Sequence, residues 1–170
     1  MELFIDTADL EEAQRATALG VITGCTTNPK LAAQAGPGDF RRRVMELLEI
    51  CPGPLSVEVV GETVDEMLAE ASDYAAWDPR IVVKIPMSLE ALEAVSRLER
   101  ERDIRVNVTC MVSPNQAMLA VLAGASYASL FVGRIADLGA DPYAALRRTA
   151  EFIDQGAFKT RIIAGSVRQC

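Results

Sequence analysis

Residues 81–110 read IVVKIPMSLEALEAVSRLERERDIRVNVTC, and this stretch decides the fold. Its two ends, Ile81 to Ile85 and Arg105 to Cys110, are short runs rich in β-branched residues, and the segment between them carries apolar residues at helical spacing. Strand, helix, strand in that order predicts two parallel strands with the helix packed outside them. The same alternation recurs on both sides. Further strands are expected at Leu3 to Ile5, Val21 to Cys25, Leu55 to Val60, Ala128 to Val132 and Arg161 to Ala164. The segments between them carry helix signals: Thr63 with Glu66 fits a capping box, as does Ser113 with Gln116, where Pro114 takes the first helical position. Asp141-Pro142 opens another helix, and Gly124 and Gly156 read as C-terminal stops.

Seven strand-helix units in 170 residues come to about 24 residues each, close to the roughly 30 of a (β/α)8 barrel unit. The expected fold class is therefore α/β, a (β/α)8 TIM-barrel type with about seven parallel strands, forming a single, incomplete barrel domain over residues 1–170. The series stops after the seventh strand, at SVRQC. The strands should then run in order from one to seven with a gap between the seventh and the first, covered by a neighbouring chain or left by a lost C-terminus. Backbone pairing of Leu3 to Ile5 with Arg161 to Ala164 would instead mean a closed seven-stranded barrel. Gly36-Pro37-Gly38 and Pro52-Gly53-Pro54 read as turns inside the series.

Composition narrows the function. Half of the residues are hydrophobic, enough for a real core, yet polar and charged residues interrupt every apolar run before the ~18 positions that a membrane span needs. The opening MELFIDTADL has acids where a secretory signal has a basic start, so no membrane partner and a cytoplasmic location are expected. A net charge of −7 argues against nucleic acid as a partner, and the basic run Arg41-Arg42-Arg43 reads as the wet side of a helix. There is no histidine, which removes Ser-His-Asp and Cys-His nucleophile systems and histidine-containing zinc sites together. Cys25, Cys51, Cys110 and Cys170 are too widely spaced for CxxC pairs, so reduced, mostly buried thiols are expected and no metal site.

In a parallel barrel the C-terminal strand ends face a common mouth, and here those ends are polar. Asp6 follows the first strand and Thr26, Thr27 and Asn28 the second; Glu58, Lys84, Asn107 and Thr109 interrupt the third to fifth; Ser129 and Arg134 lie in or past the sixth, Ser166 and Arg168 past the seventh. Asn107 and Thr109, two apart, point to the same side. Lys84 sits among aliphatic neighbours, where burying an ammonium costs several kcal/mol unless it is paired or neutral. Two readings follow: a partly neutral lysine that attacks carbonyls to form a Schiff base, or a structural ion pair with Glu58 or Asp6. Phe131 alternates with Ser129 and faces the same way, as a pocket residue or as plain core.

The motifs MELFIDTAD, GCTTNPK, SVEV, VVKIP, RVNVT with SPNQAMLAVLAGASY, SLFVGRI and IIAGSVR, taken in order, resemble the successive strand motifs of the transaldolases, particularly the short bacterial and archaeal type. The resemblance implies a class I aldolase that moves a dihydroxyacetone unit between sugar phosphates without metal or organic cofactor. It implies Lys84 as the Schiff-base lysine, Asp6 as the acid/base at the C4 hydroxyl, and Glu58 with Thr109 as the pair that positions a water for proton shuttling. It further implies Asn28 and Asn107 as partners of substrate hydroxyls, Thr26, Ser129 and Phe131 in the same pocket, and Arg134, Ser166 and Arg168 as the phosphate site. Members of the family assemble as homo-oligomers, pentamers or decamers, through a C-terminal helix that lies past the point where this sequence stops.

The related fructose-6-phosphate aldolases, which release free dihydroxyacetone, typically carry glutamine near Glu58 and tyrosine in place of Phe131. This sequence has the transaldolase choice at both. Lys30 departs from the usual serine or threonine after TTNP and is expected to be exposed. Two alternatives to a transaldolase remain: an aldolase that releases dihydroxyacetone, and a catalytically impaired barrel that acts as a scaffold or sugar-phosphate binder.

Overall fold

A computed structural model describes residues 1–34 and 39–168. The expected Gly36-Pro37-Gly38 turn and Cys170 lie outside the described residues. Seven parallel strands form one sheet in the order β1-β2-β3-β4-β5-β6-β7: β1 Phe4–Asp6, β2 Gly24–Thr26, β3 Leu55–Glu58, β4 Ile81–Pro86, β5 Val106–Met111, β6 Tyr127–Phe131 and β7 Arg161–Gly165. Between them run α1 Leu10–Thr17, α2 Pro29–Gln34, α3 Phe40–Ile50, α4 Val64–Ala75, α5 Leu89–Glu101, α6 Pro114–Ala123, α7 Val132–Asp137 and α8 Pro142–Gln155. This is the α/β, barrel-type architecture with seven parallel strands that the alternation implies. Among the described residues no helix is long and apolar enough to cross a membrane.

The sheet is curled. A flat seven-stranded sheet would hold its outer strands about 29 Å apart at ~4.8 Å per strand. Here the Arg161 guanidinium forms an ion pair with Glu2, and the Phe4 ring lies 6.4 Å from that of Tyr127. The starts of β1 and β7 therefore meet across the opening, while their backbones remain the two edges of the sheet.

Period-two alternation sorts the strand residues. Val57, Ile81, Val83, Ile85, Val106, Val108, Ala128 and Leu130 face outward into apolar clusters with the helices. Their neighbours Ser56, Glu58, Lys84, Asn107, Thr109 and Ser129 must then face the concave interior. Cooperative apolar burial on the outer side thus forces a polar set inward, toward one end.

The caps anchor the helices in register. Thr63 and Glu66 make a reciprocal capping box, which holds the Glu66 carboxyl below the usual range because backbone N–H groups of Thr63 and Glu62 donate to it. Ser113 and Asp141 cap α6 and α8, each followed by proline at the first helical position. Gly124 ends α6 in the left-handed region, at φ 100°, whereas Gly156 closes α8 at an ordinary φ of −86°, where a Cβ would instead meet the Phe158 ring at 2.0 Å.

Several local details differ from the sequence reading. β2 begins at Gly24 rather than Val21; Val21 is exposed, and Thr23 is held by Leu3 through backbone and hydroxyl bonds before the ladder starts. Arg41 and Arg42 are exposed on α3 as expected, but Arg43 turns in to donate to the Ala8 carbonyl. Cys110 is exposed, because the β5–β6 register shifts between Val108 and Met111 and Cys110 takes φ 62° there. Cys25 and Cys51, far apart in sequence, are buried side by side: the hydrogen bond between their thiols pushes Cys25 up and holds Cys51 down, to about 7.

Candidate active site

Lys84 stands at the middle of the polar interior. It is 6% exposed, its Nζ donates to the Thr27 carbonyl at 3.0 Å, and it lies 3.1 Å from the Glu58 carboxylate. The strand register puts this pair side by side, since Glu58 of β3 is the Cα partner of Lys84 on β4. Of the two carboxylates expected near it, Glu58 pairs with the lysine. Asp6, at the end of β1, instead accepts a hydrogen bond from the Thr26 hydroxyl at 2.7 Å, so Thr26 holds the carboxylate in place.

Next to Lys84 in register is Asn107 of β5, fully buried. Its Nδ2 donates to Ser56 Oγ at 3.1 Å, and its Oδ1 accepts from Ser129 Oγ at 2.7 Å. A polar chain thus crosses from β6 through β5 to β3 behind the lysine. Ser56 was not singled out in the sequence, although its place two residues before Glu58 on one strand puts both on the same face. Among the described residues the buried hydroxyls of Thr109 and Thr27 have no hydrogen-bond partner. Thr109 therefore keeps its hydrogen-bonding capacity unspent within the buried interior. Cys110 follows it; the residue is exposed, yet the protein packed around its sulfur strips enough water to push the thiol up, the Glu58 charge adding and Lys84 opposing.

Asn28 uses its Oδ1 to accept from the Leu31 amide at 3.0 Å, capping α2 and leaving its amide N–H groups and one lone pair unused by that bond. Lys30 is exposed, as expected. Phe131 is half-buried at the end of β6, beside Gly165 of β7.

Ser166 and Arg168, past the end of β7, pack against the start of α7, the helix that carries Arg134. Gly133 explains how. A Cβ there would lie 2.3 Å from the Ser166 carbonyl oxygen and 3.0 Å from Arg168 Nε, so only glycine lets the two segments approach this closely. Ser166 itself takes φ 56°, a conformation an L side chain rarely adopts. Arg168 is exposed and grips Asp137 with both Nη atoms, at 2.5 and 2.7 Å.

The arrangement holds a buried amine beside a carboxylate, a second carboxylate at the end of β1, buried hydroxyl and amide groups on the strands of the same interior, and arginines at the rim. Among the described residues no group of three or more cysteine, aspartate or glutamate side chains is arranged to hold a metal ion. A cavity of about 370 Å³ opens at the opposite end of the sheet, lined by Glu99, Arg105, Tyr127, Lys159 and Arg161 among others, and contains none of these groups.

Comparison with known proteins places the chain in a family. The family model described as Transaldolase/Fructose-6-phosphate aldolase matches residues 3–170. A probable transaldolase of Desulforudis audaxviator is 49% identical over 168 residues, which is 99% of this chain and 77% of that protein. A probable transaldolase of Moorella thermoacetica shows the same identity and coverage, and one of Herpetosiphon aurantiacus is 45% identical over 99% of this chain and 75% of its own length.

Proposed function

The chain belongs to the transaldolase/fructose-6-phosphate aldolase family, and on that premise we propose that it is a transaldolase, transferring a dihydroxyacetone unit from a ketose phosphate to an aldose phosphate through a Schiff base on Lys84. The donor and acceptor pairs are sedoheptulose 7-phosphate with glyceraldehyde 3-phosphate and fructose 6-phosphate with erythrose 4-phosphate, the sugars of the pentose phosphate pathway. The observation that carries this reading is the buried Lys84 amine set 3.1 Å from Glu58.

The ion pair favours the ammonium form, but it also sets a proton acceptor beside the nucleophile. An ammonium must lose a proton before it can attack a carbonyl, and Glu58 is the acceptor in reach. The free amine adds to C2 of the ketose. Glu58, through a water held by the Thr109 hydroxyl, returns the proton that lets the carbinolamine expel water as the iminium forms. Asp6, steadied by Thr26, takes the C4 hydroxyl proton; the C3–C4 bond breaks, the aldose leaves, and the bonding electrons move into the iminium to give an enamine. Attack of the enamine on a second aldose reverses these steps. Asn107 and Asn28 hold substrate hydroxyls, Ser129 and Phe131 complete the pocket, and Arg134, Ser166 and Arg168 take the phosphate, for which a guanidinium fork is well matched.

Borohydride reduction in the presence of fructose 6-phosphate tests the covalent step. The reduced adduct should map to the peptide containing residues 81–86, and Lys84→Met should abolish both label and turnover. Label on Lys30 or Lys159 defeats the assignment. Product analysis with and without an acceptor aldose separates transfer from release of free dihydroxyacetone, and a trapped adduct without either product would indicate a binder only.

A further inference from the structure

Arg168 is already engaged. Both of its Nη atoms are donated to one carboxylate, Asp137, one turn past Arg134 at the end of α7, in a two-pronged contact of 2.5 and 2.7 Å. The side chain reaches this partner by lying across Gly133, where a Cβ would crowd both Nε and Cγ of Arg168. The two groups are about half exposed, 50% and 45%, so the contact is screened by water and opens at small cost. A phosphate needs the same donors, because the fork of an arginine matches a carboxylate and a phosphate in the same way.

We propose that Asp137 is a specificity-determining residue of the phosphate site: its carboxylate occupies the Arg168 fork when no substrate is bound, and an incoming phosphate group must displace it. The proposal rests on the assignment of Arg134, Ser166 and Arg168 to phosphate made above. Its consequence is electrostatic. With Asp137 in place the rim carries one net positive charge from Arg134, Arg168 and Asp137, and the displaced carboxylate stays near the bound phosphate and opposes it. The site therefore favours a dianionic phosphate anchored by the rest of the sugar over small anions, which lack that anchorage.

The test is a double-mutant cycle in Asp137→Asn and Arg168→Ala, read by the inhibition constant for inorganic phosphate and by KM and kcat for fructose 6-phosphate. The Asp137→Asn variant should bind inorganic phosphate more tightly and show a lower KM, each by up to about fivefold, the range set by an exposed ion pair. The change should lie in KM rather than kcat and vanish in the Arg168→Ala background, and Asp137→Glu should restore the parent values. A rise in KM in Asp137→Asn would mean that the carboxylate positions Arg168 for the phosphate instead of competing with it, and would overturn the proposal. So would an unchanged inhibition constant, or a gain that persists without Arg168. If Arg168→Ala alone leaves phosphate affinity unaltered, the phosphate-site assignment itself fails, which is distinguishable from failure at Asp137. Should turnover be absent, calorimetry with inorganic phosphate on the same four proteins reads the same cycle.

Discussion

Lys84 and Asn107 are neighbours in the ladder, yet they are held by different means. The lysine is fixed by a charge and a carbonyl, the amide by two serines, one on each side. Ser56 is the less obvious of the two because the sequence reading did not single it out. Replacing it with alanine leaves one Asn107 N–H without its acceptor in a fully buried place, and an unmet buried polar group costs roughly 1–3 kcal/mol. The Ser56→Ala variant should therefore unfold at lower urea by about that amount, and kcat/KM should fall because Asn107 is freed to turn. Ser56→Thr keeps the hydroxyl and should recover more of the turnover than of the stability, since its extra methyl must be fitted into a packed interior. Equal loss of turnover in the alanine and threonine variants would show that space, not the hydroxyl, is what Ser56 supplies. The residue types that matter most at this scale were legible: a lone lysine within IVVKIP and polar residues at strand ends announce a site. Partnerships were not. Whether Lys84 met Glu58 or Asp6 depends on the strand register, and the pairing of Arg168 with Asp137, 31 residues apart, exists only after β6 and β7 have come together.

Elements are tied to one another by single half-buried groups, of which Glu99 is the clearest. From the last turn of α5 its Oε1 accepts the backbone N–H of Val106, where β5 begins, at 2.7 Å, and that of Ser126, just before β6, at 2.6 Å. Its Oε2 accepts the Ser126 hydroxyl. Burial pushes the carboxyl up from its ordinary value of 4.5, outweighing these donors and the Arg105 charge, which favour the ionised form. The folded state thus binds the Glu99 proton more tightly than the unfolded chain does. Its contribution to stability is fully present below 4.5 and is lost as pH rises through the higher folded-state value. Glu99→Gln keeps an acceptor but cannot titrate. The stability of the variant minus that of the parent, from urea midpoints at a series of pH values, should increase as pH rises across this window; a flat or falling difference would contradict the sign. Element positions themselves followed the sequence closely for β3, β4 and β5, whose β-branched residues coincide with burial on the helix-facing side, and for β6, which buries Ala128 and Leu130 there. β2 was drawn too long because Val21 and Thr23 have strand-like side chains but lie in the exposed lead-in. The bulge at Cys110 carries no local signal either, since cysteine between threonine and methionine reads as ordinary strand.

At the scale of the whole molecule the sheet curls far enough to bring the starts of its outer strands into contact and leaves their backbones unjoined. The contacts that hold the opening together are an exposed ion pair, Glu2 with Arg161, and one tilted ring pair, Phe4 with Tyr127, each worth about 1 kcal/mol or less. In a parallel ladder each residue directs its N–H and its carbonyl to the same neighbour, and successive residues alternate sides. Arg161 donates to the Ser126 carbonyl, toward β6, so Ile162 and Ala164 direct their N–H groups away from β6, to the open edge. Thr7 donates to Thr26, and Leu3 accepts from Thr23, so Phe4 and Asp6 face away from β2 in the same manner. Val83, by contrast, donates to the Arg105 carbonyl within a strand flanked on both sides. Hydrogen exchange on this 170-residue chain should therefore alternate along β7, with the amides of Ile162 and Ala164 exchanging far faster than that of Ile163, and with β4 slowest of all. The same alternation is expected at β1, where Phe4 and Asp6 should be fast and Ile5 slower. Protection of Ile162 and Ala164 equal to that of Val83 would mean that another strand covers the edge, and if the protection grew with protein concentration, that strand would belong to a second copy of the chain.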